Sequence, residues 1–329
     1  MNKVEAMDDR IIVKDKRSDE PFPRVLVITG PTATGKTALS IKIAKQIGGE
    51  IVSADSMQIY KYMDIGTAKP SIEEMDGVRH HMIDIVPPWE DYSIARYVED
   101  ASRCIDDIAK RGKKPILAGG TGLYIDSLLK GRTFLARGDN ELRMQYEAAY
   151  DNIGGEAMLD ILRGFDAESA ARLHCNDKKR IVRALETYET TGKPISRHDA
   201  ETNALPLRYE SIKFALMFSD RAALYKRINK RVDEMISTGL EGEVQALQKM
   251  GVTRSNTSMQ AIGYKEIYDA INNNSSLDQV ADLIKMESRR YAKRQLSWLR
   301  RDPDINWIKW ENSPALDNAA DKILGELKI

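Results

Sequence analysis

Cysteine is nearly absent: the 329 residues contain two, Cys104 and Cys175. They form no Cys-x-x-Cys pair and cannot build a disulfide framework. Stability must therefore come from a hydrophobic core, and a reducing cytoplasm is the expected compartment. The four histidines, two of them adjacent at His80 and His81, offer no zinc-ligand spacing. Neither sign of charge is in excess, with 50 basic side chains against 50 acidic ones. Net charge thus argues neither for nor against nucleic acid, and any such partner has to be met by a local patch. No apolar run approaches the length of a membrane span, so no membrane partner is expected. The first residues mix acids and bases, unlike a signal or transit peptide, and residues 1–23 are expected to form a mobile extension.

What is present begins at Gly30. Gly30-Pro31-Thr32-Ala33-Thr34-Gly35-Lys36-Thr37 fits the P-loop pattern and follows the apolar run Val25-Leu26-Val27-Ile28. Behind it Leu39, Ile43 and Ile47 recur at every fourth position, which predicts a helix with one buried face. In such a unit the glycines let backbone N–H groups curl around anionic oxygens, and the helix dipole adds to the attraction. Lys36 supplies a positive charge, and the Thr37 hydroxyl a ligand for Mg2+. The pattern marks a phosphate site and leaves open which phosphate.

Glu50-Ile51-Val52-Ser53-Ala54-Asp55 reads as a second strand ending in an acid, so a βαβ unit and a parallel sheet are expected. Ligands bind off the carboxyl ends of such strands, which places Asp55 on the P-loop edge. Its competing reading is a cap for the turn Ser56-Met57-Gln58. Further strands are expected at His81–Val86, Lys114–Ala118, Ser211–Ser219 and Ile305–Trp310. Gly119-Gly120-Thr121-Gly122 is a second glycine-rich turn on the same edge. Asp220 caps a helix stopped by Gly239, with Arg221 in its first turn. From about 137 to 206 strand-like runs give way to helical segments at Asn140–Tyr150, Glu156–Leu162, Asp166–Leu173 and Asp177–Thr191. The expected fold is α/β, a P-loop NTPase-like parallel sheet flanked by helices. Its core spans 24–136 and 207–329, interrupted by an all-helical insertion domain over 137–206.

Two basic clusters stand out. Lys178, Lys179, Arg180 and Arg183 open one insertion helix. Between Lys285 and Arg301 seven basic residues face one acid, Glu287, and are interleaved with Tyr291 and Trp298. Arg290 and Arg294 lie one turn apart on a helix expected over Leu277–Arg301, a positive stripe suited to a phosphate backbone. These parts serve a nucleotide or small-molecule kinase, a transferase whose P-loop holds diphosphate as leaving group, or a nucleotide-gated RNA-binding module. The lack of a Walker B strand ending in Asp leans away from a kinase without deciding the matter.

Longer blocks carry a resemblance. The P-loop, Asp55-Ser56-Met57-Gln58-Ile59-Tyr60, Asp64-Ile65-Gly66-Thr67-Ala68-Lys69-Pro70 and Gly119-Gly120-Thr121-Gly122-Leu123-Tyr124 resemble those of the bacterial tRNA dimethylallyltransferases. So do Asn176-Asp177 leading into Arg180–Glu186, Gln260-Ala261-Ile262-Gly263-Tyr264-Lys265-Glu266, and Arg290-Tyr291-Ala292-Lys293-Arg294-Gln295 with Trp298 and Arg300. The similarity covers roughly Arg24 to Trp310. Thr34 stands where Ser is more usual, and the C-terminal zinc finger of eukaryotic members is absent.

The resemblance implies transfer of a dimethylallyl group from dimethylallyl diphosphate to the exocyclic amine of the adenosine 3′-adjacent to a tRNA anticodon. It places Asp55 as the base, Thr121 beside the reacting groups, and Arg221 on the diphosphate with the P-loop, Lys36 and Mg2+ on Thr37. Contacts to the anticodon stem-loop are implied for Asp55, Ser56, Met57, Gln58, Thr121, Arg143, Lys179, Arg180, Arg183, Arg290 and Arg294. The chain is expected to act as a cytoplasmic monomer without an obligate protein partner.

Overall fold

The computed structural model describes residues 24–132, 134, 140–204, 206–273 and 275–327, so the expected N-terminal extension lies outside the described residues. The chain opens β1(Val25–Thr29), α1(Lys36–Ile47), β2(Gly49–Ser53), α2(Ile72–Met75), β3(His80–His81), α3(Ile94–Lys110), β4(Lys114–Gly119) and α4(Gly122–Lys130). A run of helices follows: α5(Asn140–Ile153), α6(Gly155–Arg163), α7(Ala167–Arg172), α8(Lys178–Thr191) and α9(Ile195–Asn203). The chain then returns through β5(Ser211–Phe218), α10(Arg221–Thr238), α11(Leu240–Lys249), α12(Tyr264–Asn273), α13(Leu277–Leu299), β6(Ile305–Trp310) and α14(Leu316–Leu327).

All strand pairings are parallel, and the order is β3-β2-β4-β1-β5-β6. Side chains alternate between the two faces, as a pleated strand requires. Val25, Val27, Val52 and Leu117 join the core under α3, α4 and α12, while Leu26, Ile28, Ile51 and Ile116 pack against α1 and α14. Register sets Thr29 beside Gly119 and Ser53 beside Ala118, so the loops leaving β1, β2 and β4 emerge side by side. That shared edge is the platform for the site.

Local signals set many boundaries. The Ser93 hydroxyl accepts from Arg96 N–H to cap α3, and both Asp220 carboxylate oxygens accept from the first turn of α10. One expected strand is cut short. His80 and His81 pair with β2, but Met82 and Asp84 adopt positive φ of 64° and 55°, and Val86 makes only an isolated bridge to Tyr60. A left-handed residue cannot continue a pleat, so the run expected over 81–86 is mostly loop. The α5–α9 segment builds a cluster of its own around Met158, Leu162, Ile181 and Leu185. It also contains α9, for which no helix was expected. Among the described residues no helix is long and apolar enough to cross a membrane.

Candidate active site

The P-loop closes on itself before it meets any ligand. Thr34 Oγ1 and Lys36 Nζ both donate to the Pro31 carbonyl, at 2.8 and 2.7 Å, and Trp310 Nε1 donates to the Thr34 carbonyl at 2.9 Å. Gly30 is required where it stands. Its φ is 144°, and a Cβ there would lie 2.6 Å from the Leu216 carbonyl oxygen of β5. Burial of the ammonium, reinforced by the nearby Arg231 charge, pushes the Lys36 pKa down to about 7, with Asp55 opposing the shift. An anion seated beside Lys36 would favour its charged form and oppose that shift.

Asp55 caps the turn after β2 and also faces two cavities. Its Oδ1 accepts from Met57 and Gln58 N–H at 2.9 and 3.4 Å, capping the turn, while Oδ2 has no hydrogen-bond partner among the described residues. The carboxylate lines a cavity of about 90 Å3 that also holds Lys36, Thr37 and Arg231. It lines a second cavity too, of about 300 Å3, with apolar walls from Ile228, Val232, Met235, Ile262 and Ile284. Thr32, Asp55, Thr67, Arg231 and Tyr291 are common to both. The anion cradle thus opens into an apolar-walled space, with one carboxylate and one guanidinium at the junction.

The second cavity leads outward. Arg294 lines it and also lines a surface groove with Arg180, Arg290, Lys293, Trp298 and Arg301. This groove joins α8 to α13, and all its residues but Ser297 and Trp298 are cationic. The basic stripe of α13 divides by face: Lys285 pairs with Asp233 and Arg289 with Asn229, both on α10, whereas Arg290, Lys293 and Arg294 are exposed.

A protein-family model described as IPP transferase matches residues 58–302. The chain belongs to the IPP transferase family. It is 48% identical to the tRNA dimethylallyltransferase of Acetivibrio thermocellus over 92% of this chain and 96% of that protein. Against the enzyme of that name from Carboxydothermus hydrogenoformans it is 47% identical, over 93% and 98% of the two chains. Its fold is similar to that of a tRNA isopentenylpyrophosphate transferase from Bacillus halodurans, with TM-score 0.68, 40% identity and coverage of 93% and 97%. It is also similar to a eukaryotic dimethylallyltransferase solved acting on tRNA, with TM-score 0.79, 30% identity and coverage of 92% and 78%.

Thr121, expected beside the reacting groups, lies next to Asp55: its Oγ1 accepts from Ser56 N–H at 3.2 Å. Ser56 and Met57 line the apolar-walled cavity. Gln58 lines the smaller cavity, and its Nε2 donates to the Thr67 and Ala68 carbonyls at 3.3 and 3.2 Å, which ties down the following loop.

Arg221 is the clear misplacement. Its guanidinium is exposed, stacks on Tyr225 and donates to the Tyr225 hydroxyl at 2.7 Å, and it lines neither cavity. The arginine at the junction is Arg231, nearly three turns further along α10. Desolvation lowers its pKa, with Asp55 opposing, and it donates to the Thr67 carbonyl at 3.3 Å. Arg227, one turn before it, donates to the Ala33 carbonyl of the P-loop at 3.0 Å. The signal was available. Leu224, Ile228 and Val232 form the buried stripe of α10, and Arg227 and Arg231 each immediately precede one of its members.

In the helical segment, Arg143 and Arg183 both turn inward onto the fully buried Glu186, at 3.0 and 3.1 Å. They neutralise a buried acid and do not line the groove. Lys179 and Arg180 are exposed, and Arg180 reaches the groove.

Proposed function

We propose that this chain transfers a dimethylallyl group from dimethylallyl diphosphate to the exocyclic N6 amine of the adenosine 3′-adjacent to the anticodon of a tRNA. The observation that carries this reading is the continuous path from P-loop cradle to apolar-walled cavity to cationic groove, linked by Asp55, Arg231 and Arg294. A kinase has no use for an apolar chamber opening onto a cationic groove. An RNA-binding module has no use for Asp55 at its inner end.

The P-loop amides, Lys36 and Arg231 hold the diphosphate, and the apolar walls take the five-carbon chain. The adenine leaves its stack and enters from the groove. The amine nitrogen forms a bond to the allylic carbon as the C–O bond breaks, the electron pair leaves on diphosphate, and the amine proton passes to Asp55 Oδ2. Charge grows on the leaving oxygens, where fixed cations stabilise it. Mg2+ fits the donor set. Thr37 would offer its hydroxyl to the ion beside Lys36, and the ion would neutralise charge on the leaving group when bound. From the helical insertion, Arg180 of α8 reaches the groove.

The decisive test offers Mg2+, unmodified tRNA and either dimethylallyl diphosphate or ATP, followed by mass spectrometry of the nucleosides. One C5H8 unit on adenosine with the allylic donor alone is the expected result. Phosphate release from ATP without that gain would install the kinase instead.

The groove has its own test. Arg290→Gln with Arg294→Gln removes two exposed cations, so the slope of log K for stem-loop RNA against log salt should flatten by about 1.4 to 1.8. An unchanged slope would make the stripe a solvated face.

A further inference from the structure

Gln295 is buried where the two glycine-rich turns meet. Its Oε1 accepts from Thr32 N–H at 2.9 Å, and its Nε2 donates to the Gly120 carbonyl at 2.9 Å. These partners lie 263 and 175 residues away in sequence, one in the P-loop and one in the turn that carries Thr121. Contact is close, because a Cβ on Gly120 would fall 2.3 Å from Nε2. Tyr291, one turn earlier on α13, lines the same cavity as Gln295 and Gly120.

The chemistry of the joint needs a carboxamide. It must accept from one backbone group and donate to another at the same time, and both partners are buried or partly so. Methionine would leave both backbone groups unpaired, and a glutamate anion would set an acceptor against the Gly120 carbonyl. Thr32 N–H is also withdrawn from the amides available to a phosphate. It fixes the entry of the loop instead.

We infer that Gln295 is a positioning residue for group transfer. It sets the P-loop that holds the leaving diphosphate against the Gly120-Thr121 turn beside Asp55. This inference rests on the transferase reading above. Displacement at carbon requires the leaving oxygen, the carbon and the amine nitrogen in line, and a shift of about 1 Å can cost ~100-fold in rate.

The test compares full-length wild type with Gln295→Met and Gln295→Glu for kcat, KM for dimethylallyl diphosphate, and Kd for an anticodon stem-loop RNA. Gln295→Met should lower kcat about 30- to 100-fold and leave the RNA Kd within about twofold, because the groove residues are untouched. Gln295→Glu carries an internal rescue, since a protonated carboxyl offers the same donor and acceptor as the amide. Its kcat relative to wild type should therefore climb as pH falls from 9 to 6, a response that a merely structural defect lacks. The positioning role is overturned if Gln295→Met keeps kcat within about threefold of wild type. It is equally overturned if kcat and RNA affinity fall together, or if the Gln295→Glu ratio stays low and flat across pH. A wild type that transfers no C5H8 overturns the transferase reading itself and takes the positioning role with it.

Discussion

Asp55→Asn is expected to lower kcat by about 10²- to 10³-fold while leaving the RNA Kd within about threefold and the fold intact. The separation follows from the two jobs of the carboxylate. Asn keeps a carbonyl oxygen where Oδ1 caps Met57 and Gln58, and Asn is among the best capping residues, so the turn survives. What Asn cannot do is take the amine proton at Oδ2, and positioned acid–base groups contribute about 10²- to 10⁴-fold. The lower part of that range is expected because the allylic carbon carries positive charge well, so the amine needs orienting more than activating. Asp55→Ala should be worse in stability by about 1 kcal/mol, the usual cost of losing a cap. Single-turnover kinetics with RNA in excess would separate the effects. Loss of RNA binding at unchanged single-turnover rate would recast Asp55 as an RNA contact.

Lys36→Met should reduce kcat/KM for dimethylallyl diphosphate by about 10²- to 10³-fold, the usual cost of one donor aimed at developing negative charge. A second signature distinguishes this from general damage. With its pKa lowered by burial to about 7, Lys36 at pH 8 is protonated in about one molecule in ten. Bound diphosphate raises that pKa, so binding at pH 8 draws nearly one proton onto Lys36. The sign is fixed: affinity strengthens as pH falls toward 7 and weakens up to about tenfold per pH unit above it, until the bound-state pKa is passed. Calorimetry with inorganic diphosphate in buffers of different ionisation heat should show wild type taking up close to one proton more than Lys36→Met. Equal uptake by the two proteins would remove Lys36 from the phosphate site.

The pattern of success along the chain follows the range of the interactions involved. The strand–loop–helix around Gly30, the caps at Ser93 and Asp220, and the stop at Gly239 are decided by neighbours within a few residues, and sequence spacing carries them. Asp55 and Thr121 were also legible, because adjacent parallel strands must deliver their following loops to one edge. Fate was harder to read for long charged side chains. The resemblance implies RNA contacts for Arg143 and Arg183, and Arg289 belongs to the basic run of α13, but the fold pairs them with Glu186 and Asn229.

Sequence spacing thus carried the strand–loop–helix around Gly30, the acid after β2, the parallel sheet, the helical run α5–α9 and the family. Tertiary structure alone decided that Arg231 and not Arg221 reaches the junction, since α10 must cross the P-loop before its arginines can point into it. It decided too that β3 stops at His81 and that Gln295 joins two turns distant in sequence. Those outcomes depend on which surfaces pack together, and periodicity records only that a face is buried, never against what.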